Sequence, residues 1–129
     1  MPERIQMSRQ HPWRAEHPDA VIVDRRSPFG NPWTVGRVPV DCQGLQGERW
    51  AIWDAWMHND QSRYLGKYAT KAEARSAAIR AYVELLRRDR WRREMIRADL
   101  VGKSVACWCP LDAECHGDVI LRVAAGSHP

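Results

Sequence analysis

Residues 104–125 read SVACWCPLDAECHGDVILRVAA, a stretch that predicts a strand, a polar loop and a helix. The apolar start is strand-like, and the apolar run 119–125 is typical of a helix. Between them lie three of the four cysteines of the chain and one of its five histidines. Because α/β proteins commonly build sites where a strand passes into a helix, this loop is the candidate functional site.

The strand and helix predictions fix where the cysteines point. In an extended strand, Cys107 and Cys109 face the same side, with Cα atoms about 6.6 Å apart. Asp112 is predicted to cap the helix, which places Cys115 and His116 in its first turn. There the helix dipole and the amides without helical partners favour anions. We therefore expect the Cys115 thiol to ionise more readily than an ordinary thiol.

Three chemical hypotheses are open for this loop, beside a purely structural role. In the first, zinc is bound by three thiolates and one imidazole, those of Cys107, Cys109, Cys115 and His116, although C-x-C-x5-C-H is not a usual zinc spacing. In the second, Cys115 or Cys109 is a nucleophile with His116 or a distant histidine as its base, so that Cys115 and His116 are the catalytic candidates. In the third, the thiols only pack, and the amides of the helix start bind a phosphate or carboxylate.

Length and composition restrict the class of protein. A chain of 129 residues predicts a single domain over 1–129. Its 44% hydrophobic and 28% charged residues are typical of a globular fold, and the net charge of +4 is compatible with phosphate-bearing partners. No run approaches the roughly 18 apolar residues of a membrane span, so we expect a cytoplasmic protein without membrane contact. In that compartment thiols stay reduced, so the cysteines indicate metal binding or reactivity rather than disulfides.

The strand signals outside the site predict an α/β fold with one small mixed sheet of about four to five strands and about three helices. Residues 4–9 alternate, with Ile5 and Met7 towards the core and Arg4 towards solvent. Residues 20–23 are fully apolar, which is typical of a buried central strand. Residues 48–57 fit a helix or a strand, and we favour a strand because 64–68 alternates as a hairpin partner would. Such a sheet would carry the C-terminal strand–loop–helix as its site.

Two helices are predicted in the second half of the chain. Thr70 and Glu73 form a capping box, in which the two side chains satisfy amides of the first turn. Apolar residues at helical spacing then form a buried stripe, which comprises Ile79, Tyr82, Val83 and Leu86. A second short helix is expected before Gly102.

A basic run lies between these helices, with five arginines in the seven positions 87–93. One interpretation is nucleic-acid binding, in which arginines contact phosphates and the indole stacks on a base, through Arg90, Trp91, Arg92 and Arg93. The other is that arginines near a helix C-terminus complement the helix dipole. The sequence leaves both open.

A second loop, 24–33, follows the apolar run 20–23. Its two prolines restrict the backbone, and Gly30 permits a turn, so the loop should be stiff. If the strands before the two loops are parallel, both loops lie at one edge of the sheet. We then expect an anionic small molecule, such as a nucleotide, to bind opposite the cysteine loop through Arg26, Gly30, Asn31 and Asp118.

The two loops together resemble the family called domain of unknown function 4326. The resemblance rests on RRSPFGNPW at 25–33, GKSVACWCPLD at 102–112 and CHGD at 115–118, and it covers most of the chain. It implies a protein of bacteriophages and bacteria without an established activity, acting in the host cytoplasm in takeover, counter-defence or nucleotide metabolism. Whether the protein is an enzyme stays open. The alternative function is a non-enzymatic module, zinc-stabilised or basic, that contacts nucleic acid or a host protein.

Overall fold

The computed structural model of the protein describes residues 1–38, 49–54 and 66–129. These residues divide into two compact units, with one boundary between Gly30 and Asn31 and the other between Tyr82 and Val83. The first unit comprises Met1–Gly30 and Val83–Pro129, and the second comprises Asn31–Tyr82. In chain order the elements are β1 (Arg4–Gln6), α1 (Trp13–Glu16), β2 (Val21–Ile22), β3 (Trp33–Arg37), β4 (Trp50–Asp54), β5 (Gly66–Tyr68), α2 (Lys71–Arg88), α3 (Arg90–Leu100), β6 (Val105–Cys107) and α4 (His116–Ala124).

The first unit is built on a parallel sheet with the order β1-β6-β2. All three residues of β6 are buried, as expected of the central strand of a parallel sheet. Helix α4 packs against β1, β6 and α3. The apolar run 20–23 contains β2, which lies at an edge of this sheet. The prediction that this run forms the central strand is therefore wrong. Because the three strands are parallel, the loops that follow them leave from one edge of the sheet.

The second unit holds an antiparallel sheet with the order β3-β4-β5. Strand β4 and its hairpin partner β5 confirm the strand prediction for these segments. Strand β3 was not predicted, because its sequence shows no clear alternation. Ile52 of β4 forms a core cluster with a row of small side chains on α2, which comprises Ala74, Ala77 and Ala78.

The predicted helix starts are confirmed, whereas only Tyr82 and Leu86 of the predicted buried stripe are buried, and Ile79 and Val83 are half-buried. The amide of Glu73 donates to Thr70 Oγ1 at 3.1 Å, so Thr70 caps α2 as predicted. Asp89 Oδ1 accepts from the amide of Arg92 at 3.1 Å and caps α3, which is the second predicted helix. Gly126, with φ of 99°, follows the end of α4.

The α/β class is thus confirmed, while its details differ from the expectation. The described strands form two sheets of three strands, where the sequence predicted one mixed sheet. The described helices are four, where the sequence predicted about three, because the short helix α1, which carries the buried Trp13, was not predicted. None of the helices in the described ranges is both long and apolar enough to span a membrane.

Candidate metal centre

Three thiols of the first unit lie together where β6 passes into α4. The Sγ atoms of Cys107, Cys109 and Cys115 are all within 4.8 Å of one another. Cys107 and Cys109 are separated by 3.7 Å between their sulfurs. A tetrahedral zinc ion with Zn–S bonds of about 2.3 Å requires sulfurs about 3.8 Å apart. The spacing of the first pair therefore matches that of two thiolates on one zinc ion.

Local structure explains how the three sulfurs meet. Cys107 ends β6, where the sequence predicted a strand that continues through Cys109. Cys109 lies in a bend beyond the strand, its sulfur still comes within 3.7 Å of that of Cys107, and Trp108 between them is half exposed. Cys115 is the N-cap of α4, and its sulfur accepts from the amide of Gly117 at 3.4 Å. The prediction that Asp112 caps this helix is therefore wrong. The helix cap is itself one of the thiols.

His116 adjoins the cluster without belonging to it. Its Nε2 lies 2.5 Å from the carbonyl oxygen of Val23, and since a carbonyl only accepts, Nε2 carries the proton. Its Nδ1 then lies 3.7 Å from the sulfur of Cys115. Three of the four predicted metal ligands thus form the group of closely spaced ligand atoms, and the imidazole adjoins it on the Cys115 side.

The pKa of the Cys115 thiol is raised well above its ordinary value. Hydrogen bonding to Cys107 is the largest cause, followed by hydrogen bonding to Cys109 and by burial. The amide of Gly117 at the helix start acts in the opposite direction, as the helix argument predicted, but it is outweighed. The prediction that this thiol ionises more readily than an ordinary one is therefore wrong for the metal-free protein.

Arg4 is the residue of this site that the sequence patterns did not single out. Alternation predicted that it faces solvent, yet its side chain is only 6% exposed. Nε donates to Asp118 Oδ1 at 3.0 Å. The other guanidinium N–H groups donate to four carbonyls of the cysteine loop, which belong to Cys109, Pro110, Leu111 and Ala113. Asp118, predicted to bind a ligand, is thus engaged by Arg4.

One sequence signal could have revealed this contact. Gly117 lies in the first turn of α4, where glycine is unfavourable and needs a structural reason. A Cβ atom at this position would meet Arg4 Cδ at 3.0 Å and a methyl group of Val105 at 3.5 Å. The glycine leaves room for the arginine side chain to pass.

A family model described as Domain of unknown function (DUF4326) matches residues 5–126. The chain belongs to this family. The match confirms the resemblance seen in the sequence, and it contains the three thiols of the cluster, whereas Arg4 lies one residue before it. No curated protein and no solved structure matches the chain.

In this DUF4326 protein the loop after β2 lies beside the cysteine loop. Trp108 Nε1 donates to Asp24 Oδ2 at 3.3 Å, and Asp24 Oδ1 accepts from the amide of Arg26 at 3.1 Å. The side chain of Arg26 is exposed. Gly30 lies so close to the start of this loop that a Cβ atom there would be 2.6 Å from the carbonyl oxygen of Asp24. The turn therefore requires glycine at this position. The prediction that the two loops share one sheet edge is confirmed.

Asn31, the other predicted ligand residue, belongs to the second unit. Its Nδ2 donates to the carbonyl of Ala78 at 3.1 Å, and its Oδ1 accepts from the amide of Trp33 at 3.0 Å. These contacts give the side chain a structural role at the start of β3. Cys42 lies outside the described residues.

Arginines of the basic run 87–93 contact groups at the end of α2 and the start of α3. Nη1 of Arg93 donates to the carbonyls of Leu86 at 2.6 Å and Arg87 at 2.8 Å, at the end of α2. Arg92 pairs with Asp89 and Arg90 with Glu94, while Trp91 is 67% exposed. These contacts agree with the interpretation in which arginines complement the helix end. Nucleic-acid binding by this run stays a prediction.

Proposed function

We propose that this protein is a metal-binding module in which the thiolates of Cys107, Cys109 and Cys115 hold one zinc ion. The observation that carries the proposal is the convergence of three sulfurs within 4.8 Å, brought by a strand and a helix cap. Thiolates select soft or borderline ions such as Zn²⁺. Three protein ligands leave one coordination position for His116, water or an external ligand.

Burial favours metal binding over nucleophilic chemistry at Cys115. Cys115 is 3% exposed and His116 is 9% exposed, whereas reactive cysteines are partly exposed and have a lowered pKa. A bound metal ion makes ionisation of these thiols favourable, because it takes the place of their protons. The hypothesis that Cys115 is a nucleophile with His116 as its base stays a prediction.

Metal analysis of protein purified under reducing conditions tests the proposal. We expect about one zinc per chain, and Co²⁺ substitution should give the thiolate charge-transfer absorption of sulfur ligands. Cys107→Ser, Cys109→Ser and Cys115→Ser should each abolish tight binding. Cys42→Ser is the matched control, because it removes a thiol that is not assigned to the cluster. Wild-type protein that stays metal-free after incubation with zinc would rule out the proposal.

A second candidate function is the binding of an anionic small molecule, such as a nucleotide, at the same sheet edge. The hydrogen bond between Trp108 and Asp24 favours it, because it holds the loop that bears the exposed Arg26 next to the cysteine loop. An anion could contact this guanidinium and the remaining coordination position of the metal.

Thermal-shift screening of zinc-loaded protein with nucleotides and inorganic phosphate tests this candidate, since a ligand that binds only the folded state stabilises it. The expected shift should be lost in Arg26→Ala. It should persist in Arg122→Ala, which removes an exposed arginine of α4. Equal shifts in both variants would place the ligand elsewhere.

A further inference from the structure

We propose that Arg4 is a positioning residue that shapes the cysteine loop for the metal. The inference rests on the proposed zinc site and adds a residue that is not a ligand. It assigns to one buried guanidinium the task of fixing the backbone between Cys109 and Cys115 before the ion arrives.

The hydrogen bonds of Arg4 account for every N–H group of its guanidinium. Arginine has five such donors in a rigid planar fork. In this protein Nε donates to Asp118. Nη1 donates to the carbonyls of Cys109 and Pro110 at 3.3 and 3.2 Å, and Nη2 donates to those of Leu111 and Ala113 at 3.1 and 2.8 Å. Five donors thus meet five acceptors, which leaves the buried cation fully satisfied.

The acceptors lie at both ends of the loop that brings the sulfurs together. Cys109 supplies a carbonyl to Arg4 and a sulfur to the cluster. Asp118 lies in the first turn of α4, three residues after the cap Cys115. A single side chain on β1 therefore ties the strand-side thiol to the helix-side thiol.

The position of Arg4 leaves little freedom for another arrangement. Its side chain is 6% exposed and passes Gly117, where even a methyl group would lie 3.0 Å from Cδ. Lysine could supply the charge but offers only three donors on a flexible stem, so it cannot reproduce the fork. Arginine is needed here for its shape as well as its charge.

Zinc affinity, measured by competition with a chromophoric chelator, tests the role of Arg4. Residues that orient metal ligands typically change affinity by about 10- to 100-fold when replaced. We expect a loss in that range for Arg4→Lys, with binding still at one zinc per chain because the three thiols remain. Arg92→Gln is the matched control, since it breaks another arginine–carboxylate pair at 3.0 Å in the same unit.

Amide hydrogen exchange of the metal-free protein separates positioning from general stability. In the wild type we expect the amide of Ala113, which donates to the carbonyl of Pro110 at 3.1 Å, to be protected without zinc. In Arg4→Lys this amide should exchange faster while the amides of α3 stay protected. If the loop is equally unprotected in both proteins, or if Arg4→Lys binds zinc within about threefold of the wild type, the inference is wrong.

Each failure points to a different proposal. A wild type that binds no zinc removes the metal site itself, whatever Arg4 does. If Arg4→Lys does not fold, Asp118→Asn provides the second variant, because it weakens one of the five contacts and leaves the four carbonyl bonds. It should bind zinc more weakly than the wild type, and unchanged affinity in this variant would overturn the role of the Arg4–Asp118 pair.

Discussion

Arg4 Nε donates to Asp118 Oδ1 at 3.0 Å, which joins the first strand to the last helix across 114 positions of the chain. The arginine side chain is 6% exposed, and the aspartate side chain is 46% exposed. A buried charge of this kind is tolerated only when its hydrogen bonds are satisfied. The same contact explains why a glycine interrupts the first turn of α4.

Replacing Arg4 by methionine should destabilise the metal-free protein by about 3 kcal/mol, because a buried charge network loses its centre. Four loop carbonyls lose their donor, while Asp118 is exposed enough to regain water. Urea unfolding under reducing conditions measures the loss. Arg92→Met, which removes an arginine that is 19% exposed and pairs with Asp89, should cost about 1 kcal/mol or less. A smaller loss for Arg4→Met than for this control would contradict the prediction.

Gly117→Ala should destabilise the wild type even though alanine favours a helix by about 1 kcal/mol. The added methyl group meets Arg4 Cδ at 3.0 Å, and the hydrogen bonds of the guanidinium prevent it from yielding. The same substitution in an Arg4→Met background should be neutral or stabilising, because the flexible thioether can move aside. A double-mutant cycle of unfolding free energies checks the coupling. Additive effects would show that Arg4 is not the obstacle.

The metal-free protein should lose stability as the pH rises above about 9. The pKa of the Cys115 thiol is raised above its ordinary value of 9.0, chiefly by hydrogen bonding to Cys107. The folded state therefore keeps a proton that the unfolded state releases, so the contribution is complete below pH 9 and is lost progressively as the pH rises above it. Urea midpoints at pH 8 and pH 10 in the presence of a chelator measure the effect. Cys115→Ser, which has no such thiol, should show a shallower decline.

Arg93→Ala should destabilise the protein by about 1–3 kcal/mol, because two carbonyls at the end of α2 lose a charged donor. Arg90→Ala should have little effect, since Arg90 is 81% exposed and its ion pair with Glu94 lies at the surface. Thermal unfolding compares the two variants. Salt-dependent binding to DNA or RNA that weakens equally in both would instead favour the nucleic-acid interpretation of this run.

Much of the site was determined by the sequence itself. The apolar runs before and after the cysteines predict a strand and a helix, which the structure shows as β6 and α4. The cap at Thr70 likewise acts through a local hydrogen bond, which joins residues only three positions apart. Family membership also follows from sequence alone, since the family model matches residues 5–126.

Tertiary structure decided the contacts between residues far apart in the chain. Alternation assigned Arg4 to solvent, but it could not foresee that a loop over 100 positions away would cover the side chain with carbonyls. The helix dipole predicted an acidic Cys115, but hydrogen bonding to Cys107 and Cys109, together with burial, raises its pKa. Local patterns determine which way a side chain points, whereas long-range packing determines what it meets there. In this protein, packing brings the sulfurs of three cysteines within 4.8 Å of one another.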